Sequence, residues 1–373
     1  MGSKARSIII VLAILLAAVF AANWMKSGGV AGKKTFSGKA FVPEWQKGMC
    51  YVTWDKDRYL TAASDESLSA MMKTNTEWVA IVVNWYQDNA CSTRIFPTKD
   101  TASDESLAHA IDYAHSLGKK VMVKPHLDLE NSFGGAWRGE IYCPTEAAWN
   151  AWFDSYAKFI LHYARISEEN DVELFCIGTE LTSVSTTKDR LWREKVIAPV
   201  RNIYSGPITY AANWHEEYRY VKFWDALDYV GIDPYFPLSE KDVPDLDEIK
   251  AGWDRWVEEI EEFQAGVKKP VIFPEAGYCS AEGTARTPWE EVVTGRLNVK
   301  LQADCYEALL QRFWDKPWFY GVYWWKWGTD VKFGGLSNKG YSPQNKPAQE
   351  VVTRWYSKPV VPRDPSIFKK AAR

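Results

Sequence analysis

Eight short runs of mostly apolar residues recur along the chain: GMCYVTW (48 to 54), WVAIVVNWY (78 to 86), KVMVKPHLD (120 to 128), VELFCIGTE (172 to 180), PITYAANW (207 to 214), YVGIDPYF (229 to 236), PVIFPEAGY (270 to 278) and FYGVYWWKW (319 to 327). Several are almost continuously apolar rather than alternating, which is the pattern of parallel strands covered on both faces. Stretches of helical period lie between them, among them 103 to 118, 145 to 166, 246 to 266 and a long one around 289 to 315. The string SDESL occurs at Ser64 and again at Ser103. In each copy the Ser is expected to cap a helix, with Asp and Glu in its first turn where their charge complements the dipole. The flanking sequence does not repeat, so two units share a helix start without being duplicates. Eight strand–helix alternations with no change of composition predict a (β/α)8 barrel, a TIM barrel, rather than a doubly wound sheet. No linker divides residues 41 to 357, and residues 358 to 373 read as a C-terminal tail.

The first residues have a different pattern. Lys4 and Arg6 precede an apolar run from Ile8 to Ala22 that is short for a membrane span and fits the core of a signal peptide, with Val19 and Ala21 allowing cleavage after Ala21. Residues 1 to 25 are therefore a signal peptide or an N-terminal anchor, the anchor using residues 8 to 22. Residues 26 to 40, rich in Gly, Ser and Lys, form a tether. Either way the remainder is expected to be exported, as a secreted, periplasmic or membrane-anchored protein. With 45 basic and 48 acidic residues in 373, the charge offers no footprint for nucleic acid. The 20 Trp are more than a core needs, and they point to a partner with flat, partly apolar faces. The six Cys include no CxxC and no Cys/His cluster, so a metal site is not expected. Cys91 and Cys143 fall in loops after neighbouring strands and are expected to pair.

Catalytic groups of such barrels come from the C-terminal ends of the strands. Here those ends carry Trp54, Asn84 with Trp85 and Tyr86, His126 and Asp128, Glu180, Asn213 with Trp214, Tyr235, Glu275, and Trp325 with Trp327. A lone Glu after a strand is commonly a cap or an ion-pair partner. Glu180 and Glu275, however, close strands four and seven, on opposite sides of a closed barrel and at one mouth. Glycoside hydrolysis needs such a pair, one carboxyl to protonate the leaving oxygen and one to attack the sugar carbon. Lys124, His126 and Asp128 alternate onto one face of strand three. With only five His in the chain, sugar hydrogen bonding or a buried polar network fits them better than a metal. Trp324, Trp325 and Trp327 either fill the barrel or, at the strand end, stack on sugar rings. Trp253 and Trp256 are assigned to helix packing.

GMCYVTW, VNWYQDNACST, KVMVKPHLD with AWRGEIY, LFCIGTEL, ITYAANW, YVGIDPYFPL, VIFPEAGY with PW, and VYWWKW followed by SPQNKPA together resemble glycoside hydrolase family 113, a (β/α)8 family of clan A. The resemblance spans about residues 45 to 356. It implies a retaining mechanism on β-mannosidic or similar substrates, Glu180 as acid/base and Glu275 as nucleophile. It also implies sugar contacts from Trp54, Asn84, Trp85, His126, Trp137, Arg138, Asn213, Trp214, Tyr235, Trp325 and Trp327, with no cofactor and an oligo- or polysaccharide as the partner of a monomer. Many clan A enzymes carry Asn before the acid/base. Thr179 stands there in this chain, as in the family's GTE motif, so the contact to the sugar 2-hydroxyl falls to another group. The alternatives are an exo-acting β-glycosidase on short oligosaccharides, a carbohydrate-binding barrel without turnover, and a metal-dependent hydrolase.

Overall fold

The structure, a computed structural model, describes residues 43–132, 135–291 and 294–363. The signal or anchor segment 1–25 and the tether 26–40 lie outside the described residues, as does most of the tail. Eight parallel strands close on themselves: β1 (Gln46–Val52), β2 (Trp78–Gln87), β3 (Lys120–Leu129), β4 (Leu174–Thr179), β5 (Ile208–Asn213), β6 (Val230–Asp233), β7 (Val271–Ala276) and β8 (Phe319–Gly328). Each pairs with its neighbours in chain order, and β8 returns to β1 to shut the barrel. A two-residue strand, Ile95–Phe96, adds an antiparallel edge to the end of β2. The predicted (β/α)8 barrel is the fold.

Outside the wall lie α1 (Ala62–Met71), α2 (Asp104–Ser116), α3 (Glu146–Glu169), a segmented stretch opened by α4 (Thr182–Thr187) and closed by α5 (Ala198–Ile203), the four-residue α6 (Glu217–Tyr220), α7 (Leu246–Val267), α8 (Val299–Phe313) and α9 (Pro347–Tyr356). Ser103 caps α2 as expected, accepting from Ser106 N–H. The other copy differs. Thr61 caps α1, accepting from Ser64 N–H, because a cap-forming side chain three residues upstream starts the helix first. The helix expected around 289 to 315 is only α8. The described residues before it, 289–291 and 294–298, are not helical: Pro288 stands just before the stretch, Gly295 interrupts the pattern, and Asn298 caps the helix by accepting from Leu301 N–H. β6 stops at Asp233 because Pro234 has no N–H to continue the ladder.

Two apolar layers result. A large one joins the outer face of the strands to the helices. A smaller one, including Cys50, Val82, Met122, Cys176, Ala211, Ile272 and Tyr323, fills the barrel from below. Side chains higher up β3 replace apolar filling with polar and charged groups, since Lys124 and His126 continue the inward face of Met122 and are both buried. The floor of the mouth is thus ionic.

Close approach of β1 and β8 requires glycine. Gly321 adopts φ +137°, and a Cβ there would lie 2.2 Å from the backbone oxygen of Gln46. Gly321→Ala is expected to destabilise the barrel by about 1–3 kcal/mol, read as a lower urea midpoint. An unchanged midpoint would mean that the strands part without penalty.

Candidate active site

Glu180 reaches the mouth because β4 is irregular. Its register against β5 shifts between Cys176 and Thr179. Cys176 faces the barrel interior, whereas a Cβ on Gly178 would point outward to within 2.5 Å of the Tyr156 hydroxyl. Glu180 then adopts φ +52°, a left-handed conformation uncommon for a residue with a side chain. Its N–H stays on Ala211 O at 2.8 Å, and the next N–H, of Leu181, donates to the Tyr210 hydroxyl at 2.7 Å. Asn213 Nδ2 donates to Glu180 Oε1 at 2.9 Å. Arg138 Nη1 lies 3.7 Å from Oε2, while its Nη2 binds Asp128 Oδ1 at 2.9 Å. Asp128 in turn accepts from Asn84 Nδ2 at 2.8 Å. Burial raises the pKa of Glu180, the Glu275 carboxylate adds to the rise, and Arg138 and Asn213 oppose it. Glu180 is therefore the carboxyl inclined to hold a proton.

Glu275, on β7, has other surroundings. Lys124 Nζ donates to its Oε2 at 2.6 Å, and the Tyr235 hydroxyl donates to its Oε1 at 2.6 Å. Burial pushes the Tyr235 phenol well up, as does the carboxylate beside it, so the hydroxyl remains a donor. Lys124 also lies 4.0 Å from Asp233, whose carboxylate oxygens have no hydrogen-bond donor among the described residues. Burial alone would lower the pKa of Lys124, but Asp233 and Glu275 outweigh it and the ammonium persists. Burial pushes Asp233 well up against the pull of Lys124. His126 Nε2 stands 3.9 Å from Glu275 Oε2 without a hydrogen-bond partner. Burial, then Lys124, holds that imidazole well below its ordinary pKa, so it is neutral.

Trp325 closes the floor. Its ring stacks on His126 at 5.7 Å and 10°, with Lys124 Nζ also 5.7 Å from the ring centre. Trp54, 39% exposed, meets Trp325 edge-on at 6.4 Å, and Lys326 Nζ sits over both rings, at 4.5 and 5.2 Å. Trp137, likewise 39% exposed, directly precedes Arg138. Trp214 follows Asn213 and stacks on Trp289 at 4.9 Å and 21°.

Two expected sugar contacts are not at the mouth. Trp85 turns outward, packs on Phe159 and donates to the Tyr163 hydroxyl at 3.0 Å on α3. Trp327 is 1% exposed in the outer layer and donates to Ser67 on α1. In β2 alternation sends Trp85 out beside the inward Asn84. In β8 the register against β1 shifts between Met49, paired with Trp324, and Tyr51, paired with Trp327, and this irregularity turns Trp327 outward although it lies two residues after the inward Trp325. Trp324 also faces outward, stacked on Tyr306 at 3.8 Å. The expected Cys91–Cys143 bridge is absent too. Both are free thiols, Cys91 exposed and Cys143 buried, although the Tyr142 N–H to Ala90 O bond brings their segments together. Sequence reasoning missed Asp233 and Trp289. Trp289, 44% exposed, sits on a loop tied down by the Tyr341 hydroxyl on Pro288 O, and Pro288 was the signal that this stretch is not helical.

A parallel barrel with two carboxyl groups in unlike surroundings at one mouth, flanked by exposed indoles, has the parts that cleavage of a glycosidic bond requires. The profile of Glycoside Hydrolase Family 113 matches residues 49–346, and the chain belongs to that family: it is a glycoside hydrolase. It is similar to a solved GH113 beta-1,4-mannanase complex at 32% identity, covering 84% of this chain and 100% of that one with a TM-score of 0.76. It is also similar to the GH113 beta-mannanase AaManA from Alicyclobacillus acidocaldarius in complex with ManMIm, at 30% identity, 86% and 99% coverage and the same TM-score of 0.76. Likeness to a beta-glucuronidase from Ruminococcus gnavus, at 13% identity, TM-score 0.58 and coverage of 84% of this chain and 50% of that one, extends to the fold alone. No curated protein sequence matches the chain.

Lys124→Met leaves two buried carboxylates facing each other without a cation. The expected loss of stability is about 3–5 kcal/mol near neutral pH. It shrinks on acidification: Lys124 pulls the Asp233 pKa down, its removal lets that pKa rise further, and the added cost is felt only where the unfolded carboxyl is ionised, above its unfolded pKa. Urea unfolding across pH checks this, and a deficit independent of pH would contradict it. Trp327→Ala should lower stability by about 3–5 kcal/mol and leave kcat/KM of the folded fraction unchanged, whereas Trp325→Ala should lower kcat/KM. The reverse pattern would exchange their roles.

Proposed function

We propose that the protein hydrolyses β-1,4-linked mannan with retention of configuration, Glu275 attacking the sugar carbon and Glu180 serving first as acid and then as base. The observation that carries this reading is the unlike treatment of two neighbouring carboxyl groups. Lys124 and Tyr235 both donate to Glu275, the two hydrogen bonds a carboxylate accepts. Glu180 is pushed up by burial and by Glu275. A nucleophile must be ionised and a general acid protonated at the same pH, and this division supplies both.

In the first step Glu275 displaces the leaving oxygen as Glu180 protonates it. Bonding to the sugar removes the charge on Glu275, so the pKa of Glu180 falls and it can take the proton of the attacking water. Arg138 and Asn213 hold Glu180 in place throughout. His126 Nε2 and Asn84 Oδ1, buried and without partners among the described residues, are the groups offered to the sugar hydroxyls, including the 2-hydroxyl that Thr179 does not serve. Trp325, Trp54 and the Trp214–Trp289 stack supply faces for successive rings. Mannan is preferred because the similar solved enzymes are β-mannanases. A polymeric substrate also accords with the export that we propose for the chain on the pattern of its first 25 residues.

The test uses purified protein, manno-oligosaccharides and aryl β-mannobiosides. Glu275→Ala should be inactive on all of them. Glu180→Ala should still react with a 2,4-dinitrophenyl glycoside, whose leaving group needs no proton, and azide should accelerate its turnover to a β-azide product. If the folded Glu180→Ala protein stays inert on the activated substrate with and without azide, the assignment of Glu180 is wrong. Wild-type protein that binds mannan without cleaving it would instead make this a binding barrel.

A further inference from the structure

Glu217, the first residue of α6, is 1% exposed and forms no salt bridge among the described residues. The chain turns into it through Glu216 at φ +64°. Four donors converge on the carboxyl. The Ser185 and Tyr210 hydroxyls reach Oε1 at 2.5 and 2.6 Å, and the Asn213 N–H and Thr182 hydroxyl reach Oε2 at 2.6 and 3.1 Å. An ionisable group buried in this way costs several kcal/mol unless its surroundings require it. Its burial pushes the pKa up to about 7 in spite of the donors, and Glu180 adds to the rise.

Among the described residues the donors to the Glu217 carboxyl belong to two segments, and both adjoin Glu180. Thr182 and Ser185 belong to α4, which begins two residues after Glu180. Tyr210, while donating to Glu217, also accepts the N–H of Leu181, the residue next to Glu180. Asn213, whose N–H is fixed by Glu217, donates its side-chain amide to Glu180 Oε1. We infer that Glu217 is a positioning residue for proton transfer: it locks the left-handed backbone at Glu180 and the amide of Asn213 into one frame, and so sets where the acid's proton is delivered. The inference rests on the reading of Glu180 as acid/base. It explains how a residue at positive φ, held to the neighbouring strand by its N–H on Ala211 O, also keeps a defined side-chain direction.

Loosening the frame should harm only the steps in which Glu180 moves a proton. The test compares kcat/KM, which reports formation of the glycosyl-enzyme, on β-1,4-mannopentaose and on 2,4-dinitrophenyl β-mannobioside. The proteins are wild type, Glu217→Leu, Tyr210→Phe and Glu180→Ala. Tyr210→Phe removes a single hydroxyl from the same frame and remains informative if Glu217→Leu does not fold. A displacement of the acid by about 1 Å is worth up to roughly a hundredfold. Both frame variants are therefore expected to lose about 10- to 100-fold on mannopentaose while staying within about threefold of wild type on the dinitrophenyl substrate. Equal losses on the two substrates, or no loss on either, would overturn the positioning role while Glu180→Ala still separates them. If Glu180→Ala does not separate the substrates, the assignment of Glu180 fails, and this inference with it.

Discussion

The buried ammonium of Lys124 sets the chemistry of the mouth. Charges 4 Å apart interact by about 4 kcal/mol at the effective dielectric typical of proteins, enough to decide which neighbours ionise. One ammonium faces two carboxyl groups, Glu275 at 2.6 Å and Asp233 at 4.0 Å, inside a wall that excludes water. It binds the first by a charge-assisted hydrogen bond and leaves the second, without donors among the described residues, reluctant to ionise. The same ammonium keeps His126 neutral, so the imidazole can offer a sugar hydroxyl a hydrogen bond without adding charge. The Trp325 ring stacks on His126 with Lys124 Nζ also beside it, so the three groups pack together at the floor of the mouth.

Glu180 faces the same space under a different regime. It is fixed by a slipped strand, a left-handed backbone, an amide from Asn213 and a guanidinium shared with Asp128. No ammonium bonds to it, and burial raises its pKa in spite of the opposing Arg138 and Asn213. Two carboxyl groups of the same residue type thus have unlike surroundings, a directly bonded lysine ammonium at Glu275 and an asparagine amide with a more distant arginine at Glu180. The framework beneath Glu180, built on Glu217 and Tyr210, is polar and outward-lying, whereas that beneath Glu275 is ionic and inside the barrel.

The barrel was legible because eight apolar runs and the helices between them leave few other topologies. The strand-end positions of Glu180 and Glu275 were legible for the same reason: once strands are assigned, their last residues share a rim. What failed was the direction of neighbouring rings. Asn84 and Trp85, or Trp325 and Trp327, look alike as strand-end residues, and only packing against Tyr163 and Ser67 reveals which indoles point outward. The inward alternation of Lys124 and His126 could be read, but the carboxylate that the lysine serves could not, since 151 residues separate Lys124 from Glu275. Asp233 gave no warning in a run that otherwise reads as an ordinary strand stopped by proline. Glu217 sits in a four-residue helix among surface-like charges, and nothing local distinguishes it from Glu216.

In the proposed mechanism Lys124 and Tyr235 make Glu275 the group that bonds to sugar, and Glu180 is reserved for the proton. Incubation with a 2-deoxy-2-fluoro mannosyl donor carrying a good leaving group, followed by mass spectrometry of the digested protein, tests it most directly. The fluorine slows both steps, and the activated leaving group lets the first outrun the second, so a covalent intermediate accumulates. The account predicts one added fluoromannosyl mass on the peptide containing Glu275. A label on the Glu180 peptide, or no label while natural substrate is cleaved with inversion, would contradict it.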